Sequence, residues 1–106
     1  MPGTADKQAI LQKLSEILYR HATPEQVDVY LFGSWAKGTE KRTSDIDLAI
    51  YSKTNLSPAF LPILKEEFEE STIPYRVELV DLRTVSEDFA QNVLKEGIRW
   101  TDWNNV

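Results

Sequence analysis

The chain has 106 residues, 42% of them hydrophobic and 27% charged, enough for one small folded domain over 1–106 with no room for a second. It carries no cysteine and one histidine, His21, which excludes disulfides, thiolate zinc sites, a thiol nucleophile and a histidine-rich metal site, so any metal must be held by oxygen. A formal charge of −5 argues against an extended nucleic-acid footprint, which needs clustered Lys and Arg.

No stretch reaches the length of a membrane span, and Met1-Pro2-Gly3-Thr4 opens no signal peptide, so a cytoplasmic location is expected. Ile10, Leu11, Leu14, Ile17 and Leu18 recur at helical spacing, with Thr4 as a cap and Pro24 beyond the end. This helix is expected to pack on a sheet. His21 follows its last turn and reads as a solvated or dipole-pairing residue with no catalytic role.

Val27 to Phe32 alternates Val27, Val29 and Leu31 with Asp28, Tyr30 and Phe32, which predicts a first strand. Gly33 suits a tight turn that a Cβ would hinder. Ser34 can then open a short helix whose free N–H groups point back over the strand end, an anion-binding geometry. Gly33 and Gly38 also have P-loop spacing, but Thr39 stands where the P-loop lysine should follow and Glu40 would repel phosphate, so a P-loop is rejected. Lys37, Lys41 and Arg42 form a basic edge, read either as solvated surface or as cations for a triphosphate.

The second strand puts Ile46, Leu48 and Ile50 on a buried face and Asp45, Asp47, Ala49 and Tyr51 on the other. Side chains two apart on a strand point the same way, so Asp45 and Asp47 stand roughly 6–7 Å apart at Cα. That pair can share one or two divalent cations, which prefer oxygen ligands and relieve carboxylate repulsion.

Ser57-Pro58 begins a helical region with Phe60, Leu61, Leu64 and Phe68 on one side and Glu66, Glu67, Glu69 and Glu70 on a solvated face. Tyr75 to Leu82 is the third strand, with Glu78 and Asp81 on opposite faces. Thr84 and Glu87 make a capping box for a helix whose buried stripe is Phe89, Val93 and Leu94, and Gly97 ends it. Trp100 and Trp103 close the chain, packed on its own sheet or forming a partner-binding patch. The expected fold class is α/β, a small mixed sheet of about three strands with a short C-terminal addition, flanked by about four helices.

Gly33-Ser34 followed by Asp45-Ile46-Asp47 resembles the signature of the DNA polymerase β-type nucleotidyltransferase superfamily, Gly-Ser and then Asp-x-Asp. Within it, Gly-Ser-x-Ala-x-Gly from Gly33 to Gly38 and Ser44-Asp45-Ile46-Asp47-Leu48 resemble the minimal nucleotidyltransferases, small prokaryotic proteins commonly paired with a HEPN-domain protein. The resemblance is specific over 29–51 and extends loosely to 82. It implies a polymerase β-like fold and phosphate contacts at Gly33, Ser34, Lys37, Arg42 and Ser44. It also implies a third carboxylate in the third strand, which maps onto Glu78 within Val77-Glu78-Leu79-Val80-Asp81. Asp45, Asp47 and Glu78 would then be the catalytic and metal-binding residues for two Mg2+ ions, or Mn2+, with Glu78 placed to take the acceptor proton. Two departures stand out. Trp35 replaces a family arginine, losing a phosphate contact or supplying a stacking surface, and Glu78 is one methylene longer than the family aspartate.

The activity the resemblance implies is Mg-dependent transfer of a nucleoside monophosphate, AMP from ATP, to an acceptor hydroxyl. Some minimal nucleotidyltransferases act as antitoxins by adding AMP to a tyrosine of the partner. The implied partners are a nucleoside triphosphate and a HEPN-domain protein, in a homo- or hetero-oligomer, with no membrane and no extended nucleic-acid binding. The competing expectation is a non-catalytic binding module that neutralises a HEPN-type toxin by contact.

Overall fold

A computed structural model of the chain describes residues 4–105, with side chains from Lys7 to Asn104. The Met1-Pro2-Gly3 opening and the side chain of Thr4, read above as a cap, lie outside that range. The helical spacing of Ile10 to Leu18 gives α1 (Thr4–Tyr19), followed by β1 (Val27–Phe32), the one-turn α2 (Ser34–Lys37) and β2 (Ile46–Ser52). Next come α3 (Phe60–Glu70), β3 (Val77–Asp81), α4 (Glu87–Glu96), β4 (Ile98–Arg99) and a closing 3-10 helix (Trp100–Asn105).

The strands form one mixed sheet in the order β3-β2-β1-β4. β1 is antiparallel to both β2 and β4, while β2 and β3 are parallel. A parallel pair cannot be closed by a hairpin, and α3 supplies the crossover. β4 is the short C-terminal addition, only two residues long.

The sheet is covered on both faces. Val27, Val29 and Leu31 of β1 and Ile46, Leu48 and Ile50 of β2 share the larger core with Leu11, Leu14 and Leu18 of α1 and Leu64 and Phe68 of α3. Each such side chain, taken fully from water, stabilises by about 1.5–3 kcal/mol. Tyr30 and Ala49 on the opposite face pack with Leu82 and Val93 beneath α4. The Cα radius of gyration is 13.2 Å, matching the ~13 Å of one folded unit of about 100 residues.

Several local expectations are corrected. β3 begins at Val77 rather than Tyr75, because Tyr75 turns inward to meet Trp35 edge-on at 5.0 Å between ring centroids. The cap of α4 is Ser86, whose Oγ accepts from the Phe89 N–H at 3.2 Å. Thr84 instead donates to the Asp81 carbonyl and closes the preceding turn. Of the predicted α4 stripe only Val93 is buried, while Phe89 and Leu94 are exposed. Gly97 ends α4 in extended backbone and is small because a Cβ there would meet the Val93 carbonyl at 2.6 Å. His21 is not simply solvated, since its Nε2 lies 3.2 Å from Glu67 on α3.

Candidate active site

Asp47 sits in β2 between Phe32 of β1 and Glu78 of β3, its register partners on either side. Neighbours in register project from the same face, so Asp47 and Glu78 rise together. Asp45 lies one residue ahead of β2, rather than within it as the alternation predicted, and near enough for its charge to act on Asp47. Burial, and then the negative charges of Asp45 and Glu78, push the Asp47 carboxyl above the usual carboxylate range.

Gly33 is the backbone wall of this site. It adopts φ +73, and a Cβ on it would meet Asp47 Oδ2 at 2.5 Å, so only glycine lets the β1–α2 turn lie against that carboxylate. The turn is pinned when the Gly33 carbonyl accepts from the N–H groups of Ala36 and Lys37. The N–H groups of Ser34 and Trp35 come before the first bond within the helix. Gly38, at φ +76, closes α2 in the left-handed conformation.

Residues 12–102 match the family described as polymerase beta, nucleotidyltransferase. The chain belongs to that family. It is 48% identical over 67 residues to the probable protein adenylyltransferase MntA of Haemophilus influenzae. That similarity covers 63% of this chain but only 59% of the relative, so the chain spans about three fifths of that protein's length. Among solved structures, the toxin-antitoxin crystal structure with AMP-PNP superposes with a TM-score of 0.68 at 30% identity, covering 90% of this chain and 78% of that one. A structure of tri-AMPylated Shewanella oneidensis HEPN toxin in complex with MNT antitoxin gives a TM-score of 0.64 at 28% identity, covering 89% and 71%.

The nucleotidyltransferase match spans β1 through β4, and with it every residue discussed at the site. Nucleotidyltransferases of this family generally use divalent metal ions. The residues present suit one. The donors are all carboxylate oxygens, and the mutual repulsion that raises Asp47 is what a hard dication removes. Among the described residues no three such side chains are yet gathered as a metal-ready set. Glu78 is instead paired with Arg76, its Oε2 2.8 Å from Arg76 Nε. Its side chain is 42% exposed and free to change rotamer, so it can exchange that partner for a cation.

Among the described residues, the side chains of Lys37, Lys41 and Arg42 enter no ion pair. Lys37, Lys41 and Arg42 are all exposed along the segment that runs from α2 into Asp45. Ser44 fixes that segment: its Oγ accepts from the Lys41 N–H at 2.8 Å, and its carbonyl accepts from Trp35 Nε1 at 3.4 Å. Trp35 is only 2% exposed, so it supplies neither a phosphate contact nor a stacking surface. It belongs to the core.

Two contacts were invisible in the sequence. Lys7 of α1 donates to the Trp35 carbonyl at 2.9 Å and to Glu40 at 3.1 Å, tying α1 to α2 and the loop after it from 28 residues away. Asp28 is buried at the other end of β1, 3.4 Å from Lys53 and 3.5 Å from Arg99. Its position inside a strand pattern was the one visible signal.

Proposed function

We propose that this chain transfers AMP from ATP to a hydroxyl of a protein partner, and that the partner is a HEPN-type toxin. The observation that carries the reading is the glycine turn lying directly on Asp47, with Asp45 and Glu78 beside it. Phosphate and carboxylate chemistry are thereby brought to one point. The relative named a protein adenylyltransferase and the complex of an AMPylated HEPN toxin support the acceptor class. ATP and such a partner meet in the cytoplasm, where we place the reaction. Residues 1–106 act as one nucleotidyltransferase unit within it.

The acceptor oxygen attacks the α-phosphorus, a new P–O bond forms, and the bond from the α-phosphorus to the bridging oxygen breaks, releasing pyrophosphate. Asp45, Asp47 and Glu78 would hold two Mg2+ ions, with Mn2+ suiting the same oxygens, and bound metal supplies positive charge to the triphosphate and the acceptor oxygen. Ser34 with the amides of the Gly33 turn holds the β- and γ-phosphates. Lys37 and Arg42 offset their charge, and Ser44 keeps the Arg42 segment in position. Glu78, released from Arg76, takes the acceptor proton.

The test is labelled ATP incubated with the purified chain and a HEPN-domain protein. Label should move to the partner with the wild type and not with Asp45→Asn or Asp47→Asn. Label that stays in ATP, or transfer that survives both substitutions, overturns the assignment.

A further inference from the structure

Beside the glycine turn lies a cleft of about 210 Å3 between α2 and α4, whose apolar lining of Phe32, Ala36, Phe89 and Val93 is joined by Gly33, Asn92 and the charged Lys37 and Glu96. Phe89 meets Phe32 edge-on, at 5.7 Å and 88°, yet remains 39% exposed. An aromatic ring held against a second ring while more than a third of it stays exposed offers surface for stacking.

Resting on the nucleotidyl-transfer reading, we infer that this cleft holds the nucleobase, stacked on Phe89, with Asn92 reading its edge. Position decides the occupant. Gly33 lines the cleft and also lies against Asp47, so whatever enters is joined within a short reach to the phosphates. The acceptor comes from the other side, since Glu78 stands on β3 and the cleft stands on the β1 side of Asp47. The volume is below the ~300–1,000 Å3 of pockets that take whole ligands, and suits one flat ring. Asn92 sits exposed on α4 one helical turn from Phe89. An asparagine amide can donate to adenine N7 and accept from its 6-amino group, whereas guanine offers two acceptors on that edge.

The experiment measures calorimetric Kd values for Mg-ATP, Mg-GTP and inorganic tripolyphosphate with magnesium, the last lacking a base. Wild type should prefer ATP. Phe89→Ala should weaken ATP about tenfold, the scale of losing one base–aromatic stack, and leave tripolyphosphate unchanged. Phe89→Trp, which keeps a stacking face, should stay near wild type. Asn92→Ala should reduce the preference for ATP over GTP by about fivefold or more. An unchanged ATP Kd in Phe89→Ala, or equal loss for ATP and tripolyphosphate, overturns the inference. A wild type that binds tripolyphosphate and ATP equally also overturns it while leaving the transfer reading standing, and a wild type that binds neither removes both.

Discussion

A carboxylate pressed by two others, as Asp47 is by Asp45 and Glu78 in addition to its burial, holds its proton more tightly in the folded chain than in the unfolded one. Its contribution to stability is therefore present below the ordinary aspartate range of about pH 4 and is lost as pH rises through the raised folded value. Asp47→Asn should accordingly raise the Tm of the ligand-free protein at pH 7 while removing Mg-dependent ATP binding. The gain should be at most a few degrees, because solvent screens a part-exposed group and about 1 kcal/mol moves the Tm of a domain this size by about 4–8 °C. It should vanish toward pH 4. A lower Tm at pH 7 would mean that the three carboxylates do not repel one another. Asp81 has the opposite sign: burial pushes its carboxyl up, but the Arg83 side-chain and backbone bonds pull it further down. Its stabilisation is present above about pH 4 and fades as pH falls through the lowered folded value. Asp81→Asn should thus cost a little stability at pH 7 and leave nucleotide binding intact. Strand alternation placed Asp47 beside its neighbours, but β2 begins at Ile46, so Asp45 stands just outside the strand whose period was used to pair it with Asp47. The burial of Trp35 was not legible, since it depends on Tyr75 and Lys7, each far off in the chain.

Element by element, the sequence is most readable where one period dominates. α1 and β1 fall where their apolar spacing puts them. The failures cluster at α4, where two hydroxyl residues compete for one cap. Thr84 and Ser86 both precede an acidic first turn, and nothing local chooses between them. The choice is made by Asp81, which accepts from the Arg83 N–H at 2.9 Å and tightens the turn so that the Thr84 hydroxyl is used within it. Ser86 is then the residue in extended backbone next to the first helical N–H groups. Ser86→Ala should lose about 1 kcal/mol in urea unfolding, and Thr84→Ala clearly less. Equal losses would place the cap at both residues. The exposed Phe89 is a second failure with a physical cause: helical periodicity assigns a face but cannot say where the sheet beneath it ends. α4 overhangs the end of β1, and Phe89 reaches Phe32 at its last residue.

At the scale of the whole molecule the proposed pairing with a HEPN-type toxin divides into protection by chemistry and protection by contact. The tryptophans that would have served contact are withdrawn from the surface. Trp100 is 3% exposed and stacked on Tyr19 at 4.5 Å, and Trp103 is 2% exposed with its Nε1 donating to the Ile98 carbonyl at 2.8 Å. Removing such a ring costs about 3–5 kcal/mol, a large part of the 5–15 kcal/mol that holds a small domain folded. Trp103→Ala should therefore lose partner binding and the cooperative unfolding transition together, and lost binding with an intact transition would restore the tryptophan patch. Glu78 gives the cleaner separation, because its side chain is half exposed and pairs with the exposed Arg76 rather than lying in the core. Glu78→Gln should retain ATP through Asp45, Asp47 and the Gly33 turn, yet slow AMP transfer by at least the ~10²-fold typical of a lost general base. The same variant in a growth assay beside a HEPN toxin should fail to protect. Protection by a Glu78→Gln chain whose transfer is lost would make contact the mechanism, with the carboxylates left as a nucleotide-binding remnant.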